Sequence, residues 1–249
     1  MMDCDKVREA GAILAEAVGL KLRPVCVYGS DRIPENGVRT ASLSPCIASA
    51  VYQLAARTIE GPIYAGNDPG QFFCRCIGGP AWFGYEDFDP RLAGLMGSKK
   101  IEGYSPKYLK ENEQVALETY KSIGKVKPLG NFVVIEACEA IRGGSDVKCM
   151  ILFGTSGQIR DLCALAYFRA RDVLSGVSVP WGPACATLVT YPARMSENVS
   201  DSHVFIGPTD PSAREWLPDN YMAMGIPLKI AVQMAEDTEK SFTSKRAKV

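Results

Sequence analysis

Two cysteines one residue apart, Cys74 and Cys76, stand just before Gly78-Gly79 and form the sharpest chemical feature of the sequence. In a loop, both thiolates can reach one soft metal ion or cluster, and the glycines let the backbone wrap closely around it. Two thiolates are half of a four-ligand shell. Cys46 and Cys185 are the candidates to complete it, because each sits at the edge of an element in a matching half of the chain. Cys46 follows Ser44-Pro45, which predicts a place in the first turn of a helix, where the dipole favours thiolate over thiol. The ligand set read here is therefore Cys46, Cys74, Cys76 and Cys185, holding an iron–sulfur cluster or zinc. Ordinary packing competes with it, since free cysteine is among the most buried residue types and Cys-x-Cys lacks the specificity of paired Cys-x-x-Cys motifs.

Other residues carry weaker signals. Gly154-Thr155-Ser156-Gly157 lies between a strand and a helix, so its backbone N–H groups can face an anion, but it lacks the lysine of a P-loop and the dinucleotide glycine fingerprint. Arg75, Arg194 and Arg214 can each hold a carboxylate or phosphate in a bidentate grip, against the plain reading of solvated surface charge. Arg160 and Asp161 either pair with neighbours or line a pocket. The single histidine, His203, invites a Cys-His nucleophile with Cys74, Cys76 or Cys185, yet no Cys-His signature surrounds any of them. Cys26, Cys138, Cys149 and Cys163 fall in predicted strands or an apolar helix and read as core packing, while Cys4 is terminal. Trp82 and Trp181 adjoin the two Gly-Pro segments as ligand walls or as packing.

Positioning these residues requires an α/β fold with a mixed sheet and helices, in two related halves around a shared pocket. Asp3 or Asp5 caps a first helix with apolar residues from Val7 to Val18, and Gly19 ends it. A strand follows over 22–28. Ser44-Pro45 opens a second helix that runs to Gly61. Ser105-Pro106 opens a third, through Leu109 to Ile123, and its Lys and Glu content suggests a solvent-facing connector. Strands over 132–138 and 147–153, an apolar helix over 158–174, a strand over 184–190 and a final helix after Pro227 complete the chain. The halves, 1–124 and 125–249, form one compact unit and echo each other: Gly29-Ser30 against Gly154 to Ser156, Gly79–Ala81 against Gly182–Ala184, and Asp89-Pro90 against Asp210-Pro211.

Composition narrows the classes. The 28 Lys+Arg balance 28 Asp+Glu, which removes the electrostatic driver of nucleic-acid binding, and 47% hydrophobic residues exclude disorder. No run approaches a membrane span, the acidic N-terminus is unlike a secretory signal, and a cytoplasmic location is expected. Nine cysteines without regular pairing in such a compartment are expected to be reduced, with no disulfide framework.

Several short motifs in order resemble the microbial family catalogued as domain of unknown function number 169. They are Leu20-Lys21-Leu22-Arg23-Pro24-Val25, the loop at 74–79, the passage ending at Gln158, Pro183-Ala184-Cys185-Ala186 with Tyr191-Pro192, and Asp210-Pro211 through Arg214 with Gly225-Ile226-Pro227. The resemblance spans roughly residues 15 to 235. It implies a cytoplasmic α/β protein common in anaerobes and supplies no activity or catalytic residue. The residues themselves leave three readings. The first is a thiolate-bound cluster or soft metal acting on or binding a small anionic molecule. The others are a non-catalytic small-molecule binding protein with structural cysteines and a Cys-dependent hydrolase or transferase. Neither nucleic acid nor membrane is an expected partner, and self-association is left open.

Overall fold

The computed structural model describes residues 2–43, 46–66, 78–195, 203–210 and 217–245. Eight strands build one mixed sheet: β1 (Val25–Ser30), β2 (Val38–Arg39), β3 (Ile63–Gly66), β4 (Phe132–Ala137), β5 (Val147–Thr155), β6 (Val177–Ser178), β7 (Val204–Gly207) and β8 (Tyr221–Pro227), in the order β2-β3-β4-β1-β5-β8-β7-β6. The helices are α1 (Cys4–Val18), α2 (Thr40–Leu43), α3 (Ile47–Ala55), α4 (Gly79–Trp82), α5 (Arg91–Met96), α6 (Glu113–Ile123) and α7 (Ser156–Ala166). A π-helix, Cys185–Thr190, runs into α8 (Tyr191–Met195), and α9 (Leu228–Asp237) and α10 (Phe242–Lys245) follow.

The central strands are buried on both faces, and their side chains alternate between two cores. Val25, Val27, Cys149, Ile151 and Phe153 enter the core shared with α3, α5 and the π-helix. Cys26, Tyr28, Met150 and Leu152 point the other way, into the core under α1, α7 and α9. Helix α1 follows its sequence signals: the Asp3 side chain accepts from the Asp5 N–H, and Gly19 at φ 67° returns its N–H to Ala15 and Glu16.

The sheet repeats itself. From β2 inward the order is β2-β3-β4-β1, and from the other edge it is β6-β7-β8-β5. The pairing senses agree too: β2·β3 and β6·β7 are parallel, β3·β4 and β7·β8 antiparallel, β1·β4 and β5·β8 antiparallel. The counterparts β1 and β5 meet antiparallel at the centre, as a local two-fold requires.

Four sequence expectations are corrected. The strand expected over 184–190 is the π-helix: it connects β6 to β7, which are parallel and need a crossover that an extended segment cannot supply. The helix expected from Ser105 starts only at Glu113, because Asn112 caps it by accepting from the Val115 N–H at 3.0 Å. The preceding segment is held elsewhere, by Lys107 and Leu109 donating to the Leu95 and Met96 carbonyls. Helix α7 stops at Ala166, well short of Leu174, and Val173 and Leu174 are exposed. Finally, Cys26 and Cys138 are joined in a disulfide, although all nine cysteines were expected reduced. The β1·β4 register pairs Val25 with Ala137, and the chain turns at Cys138 into a 3-10 turn, so Cys138 meets Cys26 on one face of the sheet. No helix among the described residues is long and apolar enough to cross a membrane.

Candidate functional site

Two helices occupy equivalent places on one face of the sheet. Helix α3 connects β2 to β3, and the π-helix with α8 connects β6 to β7. Each carries a candidate cysteine at its start. Cys46 is the N-cap of α3 in an extended conformation, one position before the helical turn in which it was expected. Cys185 opens the π-helix and is buried. Ser44 and Pro45 lie outside the described residues.

The π-helix is seated unusually close to the sheet. A Cβ on Gly225 would stand 2.8 Å from the Leu188 Cα and 2.9 Å from the Thr187 and Leu188 carbonyl oxygens. A Cβ on Gly207 would meet the Thr187 hydroxyl and Cβ. Gly225 lets helix backbone lie directly on β8, and Gly207 makes room on β7 for the Thr187 side chain. From below, the Cys149 Sγ lies 3.8 Å from the Leu188 carbonyl and 3.9 Å from that of Val189. Burial pushes the Cys149 thiol up, so it stays protonated and donates. Its expected role in the core holds, with the added one of serving carbonyls on the π-helix. At the helix start the Pro183 carbonyl accepts from the Ala186 and Thr187 N–H groups.

The face between the two helix starts is walled by Ala48 and Tyr52 of α3, Ala184 and Leu188, Phe153 of β5, Pro208 and Leu217. Tyr52 packs edge-on against Phe153 at 5.6 Å. Burial first, then Tyr221, raises the Tyr52 hydroxyl above its ordinary value. Past Pro208 and Leu217 the cleft widens to about 270 Å³, reaching Val179, Thr209, Asp219 and Tyr221. Thr209 ties its rim: its hydroxyl accepts from the Gly182 N–H and donates to the Pro180 carbonyl, each at 2.9 Å. Tyr52, Tyr221 and Thr209 were not singled out in the sequence. Only the Gly182-Pro183 and Asp210-Pro211 motifs pointed near them.

The chain re-enters the described structure at Gly78, two residues after Cys76, and α4 docks on the π-helix there. The Thr190 hydroxyl donates to the Trp82 carbonyl at 2.6 Å. The two tryptophans meet in one aromatic cluster. Trp82 lies 6.4 Å from Trp181 and 6.1 Å from Tyr191, with Phe88 and Tyr120 beside it and Lys110 Nζ 4.3 Å over Trp181. The Tyr191 hydroxyl donates to the Trp181 carbonyl at 3.2 Å. Burial, and after it the neighbouring Cys185, push that hydroxyl up to about 12, while Arg194 pulls the other way.

The remaining candidates scatter. Cys74, Arg75, Cys76 and Arg214 lie outside the described residues. Arg194 is exposed at the end of α8 and donates to the Ile123 carbonyl at 3.2 Å. Gly154 and Gly157 belong to the opposite face of the sheet, where a Cβ on Gly154 would touch Gln158 and Leu20. Their turn is closed by its own capping box: the Gln158 side chain accepts from the Thr155 N–H at 2.8 Å, and the Thr155 hydroxyl faces the Gln158 N–H. Arg160 pairs with Asp161 on the exposed side of α7. His203 Nδ1 accepts from the Gly176 N–H at 3.2 Å, pinning the loop before β6 to the start of β7. Among the described residues no three His, Cys, Asp or Glu side chains are grouped to hold a metal ion.

Residues 13–237 match the family model of DUF169, described as uncharacterised ArCR. The chain belongs to this family. No curated protein and no solved structure matches it. The motifs at 20–25, 183–192 and 225–227 that carried the resemblance therefore lie within the span of DUF169. They sit, respectively, at the entry to β1, along the π-helix, and at the glycine contact beneath that helix.

Proposed function

We propose that the protein is a cytoplasmic binding or redox protein whose site lies where the two crossover helices of related halves begin. Cys46, Cys185, Cys74 and Cys76 hold an iron–sulfur cluster or a soft metal there. A small anionic molecule is the substrate or ligand, gripped by Arg75 and Arg214. The observation carrying this reading is that Cys46 and Cys185 begin helices in equivalent places, and that nearby Ala48, Ala184 and Leu188 line one crevice of about 10 Å³, which adjoins the larger cleft past Pro208 and Leu217. Helix starts favour thiolate, and four thiolates are the usual shell for such clusters.

Anaerobic purification with an absorption spectrum and iron, sulfide and zinc analysis tests it. The expected result is bound metal in the wild type, lost in Cys46→Ser and in Cys185→Ser while the circular dichroism is kept. Colourless, metal-free protein with every cysteine outside the Cys26–Cys138 disulfide titrating as a thiol overturns it.

A further inference from the structure

The two edges of the sheet are equivalent in the repeat but differ in how they are guarded. Strands β2 and β6 are each two residues long, each pairs parallel with one neighbour, and neither has a second strand beside it among the described residues. The run through β2, residues 31–39, carries Asp31, Arg32, Pro34, Glu35 and Arg39. Charges and proline of this kind keep an edge from recruiting another chain. The run through β6, Val173-Leu174-Ser175-Gly176-Val177-Ser178-Val179, has neither a charge nor a proline. On an open edge, such a run is a template for a further strand.

The β6 edge is also where apolar side chains are exposed. Of the seven large apolar residues exposed among those described, five lie along or beside it: Phe168, Val173, Leu174, Val179 and Met222. Val173 and Leu174 are each 84% exposed, and the turn that holds them out is fixed by Asp172, which accepts from the Leu174 N–H at 2.9 Å. Tyr167 lays its ring against Gly176, which sets Phe168 at that end of the edge, and Val179 and Met222 line one cleft at the other. The direction of the free backbone groups follows from the pairing. The Gly176 carbonyl accepts from the Val204 N–H of β7 at 2.8 Å, so by alternation Ser178 turns its N–H and C=O to β7, and Val177 and Val179 turn theirs outward.

We infer that the β6 edge is a self-association surface, on which β6 of a second copy pairs antiparallel about a two-fold axis at Ser178. A strand with outward groups at Val177 and Val179 is complementary to itself in that arrangement. Val177 of each copy exchanges both backbone hydrogen bonds with Val179 of the other, and the two Ser178 residues face each other as the pair without bonds between them. Valine then lies opposite valine on one face of the joined sheet, a favoured cross-strand pair. The antiparallel direction carries Leu174 of one copy past Val179 of the other, so the exposed apolar residues cover one another. The chain has no net charge, with 28 Lys+Arg against 28 Asp+Glu, and two copies meet without long-range repulsion. So short an edge buries far less than the roughly 800 Å² per partner of a standard interface, which makes the dimer a weak one, half-formed on the order of 10 µM. This inference is independent of any metal at Cys46 and Cys185.

The test uses the full-length protein in sedimentation velocity, from about 1 µM to about 200 µM, because a weak dimer is read from its concentration dependence. The mass is expected to rise from 27.0 kDa to twice that value across the range. Val179→Lys and Leu174→Lys each put a charge where the copies meet and should weaken association at least about tenfold, while the melting temperature of the dilute protein is kept. Ile33→Lys, at a similarly exposed position before β2, should leave association unchanged. Ser178→Cys places two thiols at the facing pair on the axis, within disulfide reach, so mild oxidation should link it into dimers well beyond any the wild type forms. A chain that stays monomeric at the highest concentration, an association that both lysine variants leave intact, or a Ser178→Cys protein that cross-links no more than the wild type would each overturn the inference.

Discussion

Substituting Gly225 by Ala tests whether the π-helix is held where the candidate site needs it. The added Cβ would lie 2.8 Å from the Leu188 Cα and 2.9 Å from two carbonyl oxygens. Carbon contacts relax at roughly 3.5–4.0 Å, so helix or strand must retreat by about 0.7 Å or more. The obstacle is backbone, which cannot swing aside, and this places the cost near the upper end of the usual overpacking range, about 3 kcal/mol. Replacing glycine inside a strand returns about 0.5–1 kcal/mol. The clash wins, with a net loss of about 2 kcal/mol, and a chain of this size should melt about 4–8 °C lower. Calorimetry or thermal circular dichroism reads the shift, and faster thiol labelling at Cys185 reads the displaced helix. Gly157→Ala is the control: its Cβ enters open space in the first turn of α7, and it should hold or slightly raise the melting temperature. If Gly225→Ala melts with or above the wild type, the close seating of the π-helix is wrong.

Other expectations follow from groups away from that contact. The buried Arg23 guanidinium donates to the Leu54 and Ile59 carbonyls at 2.7 Å and 3.1 Å and meets Glu60 at 3.1 Å, so Arg23→Met strands buried acceptors and should cost about 3–5 kcal/mol in urea unfolding. The Cys26–Cys138 bridge closes a loop of 112 residues, and its reduction should lower stability by about 2–4 kcal/mol, read as separate melts of the oxidised and reduced protein. Burial raises the Tyr191 hydroxyl from 10.0 to about 12, and raises Tyr28 and Tyr85 as well. Phenols raised on folding favour the native state below pH 10, and that contribution is lost as pH climbs through 12. Absorbance at 295 nm should therefore show these three ionising only as the protein unfolds; smooth titration near pH 10 with native circular dichroism would contradict it.

What the sequence made legible is what depends on neighbours along the chain. Asp3 and Gly19 bracket α1, Pro227 precedes α9, and the apolar runs of β4 and β5 are too short for anything but buried strands. What it concealed depends on partners far away. Cys26 and Cys138 looked like separate core residues, because only the β1·β4 register brings them together. The run Ala184–Thr190 mixes small, apolar and threonine residues with no 3.6-residue stripe to mark a helix, and its identity comes from the parallel strands it must connect. Strands β2 and β6 are two residues long and hold only through pairing with β3 and β7. For the site, the matching edges of Cys46 and Cys185 were readable; the tyrosines and Thr209 nearby were not, since their approach is set by the sheet.

The repeated sheet relates the two helix starts but offsets the two cysteines by one position. Aligning α3 and the π-helix on their N-caps puts Cys46 opposite Ala184 and Ile47 opposite Cys185. Ala48, Ser49, Ala50 and Val51 then correspond to Ala186, Thr187, Leu188 and Val189, alike in kind at every position but Leu188. The match slips by one at Thr190, after which Tyr191 corresponds to Tyr52. One surplus residue in an otherwise equivalent helix is what a π-turn accommodates. The surplus residue, Thr190, is also the one whose hydroxyl holds the Trp82 carbonyl and so docks the chain that emerges after Cys74 and Cys76. The departure from symmetry therefore falls at the residue that holds Trp82, close to where the described chain resumes at Gly78.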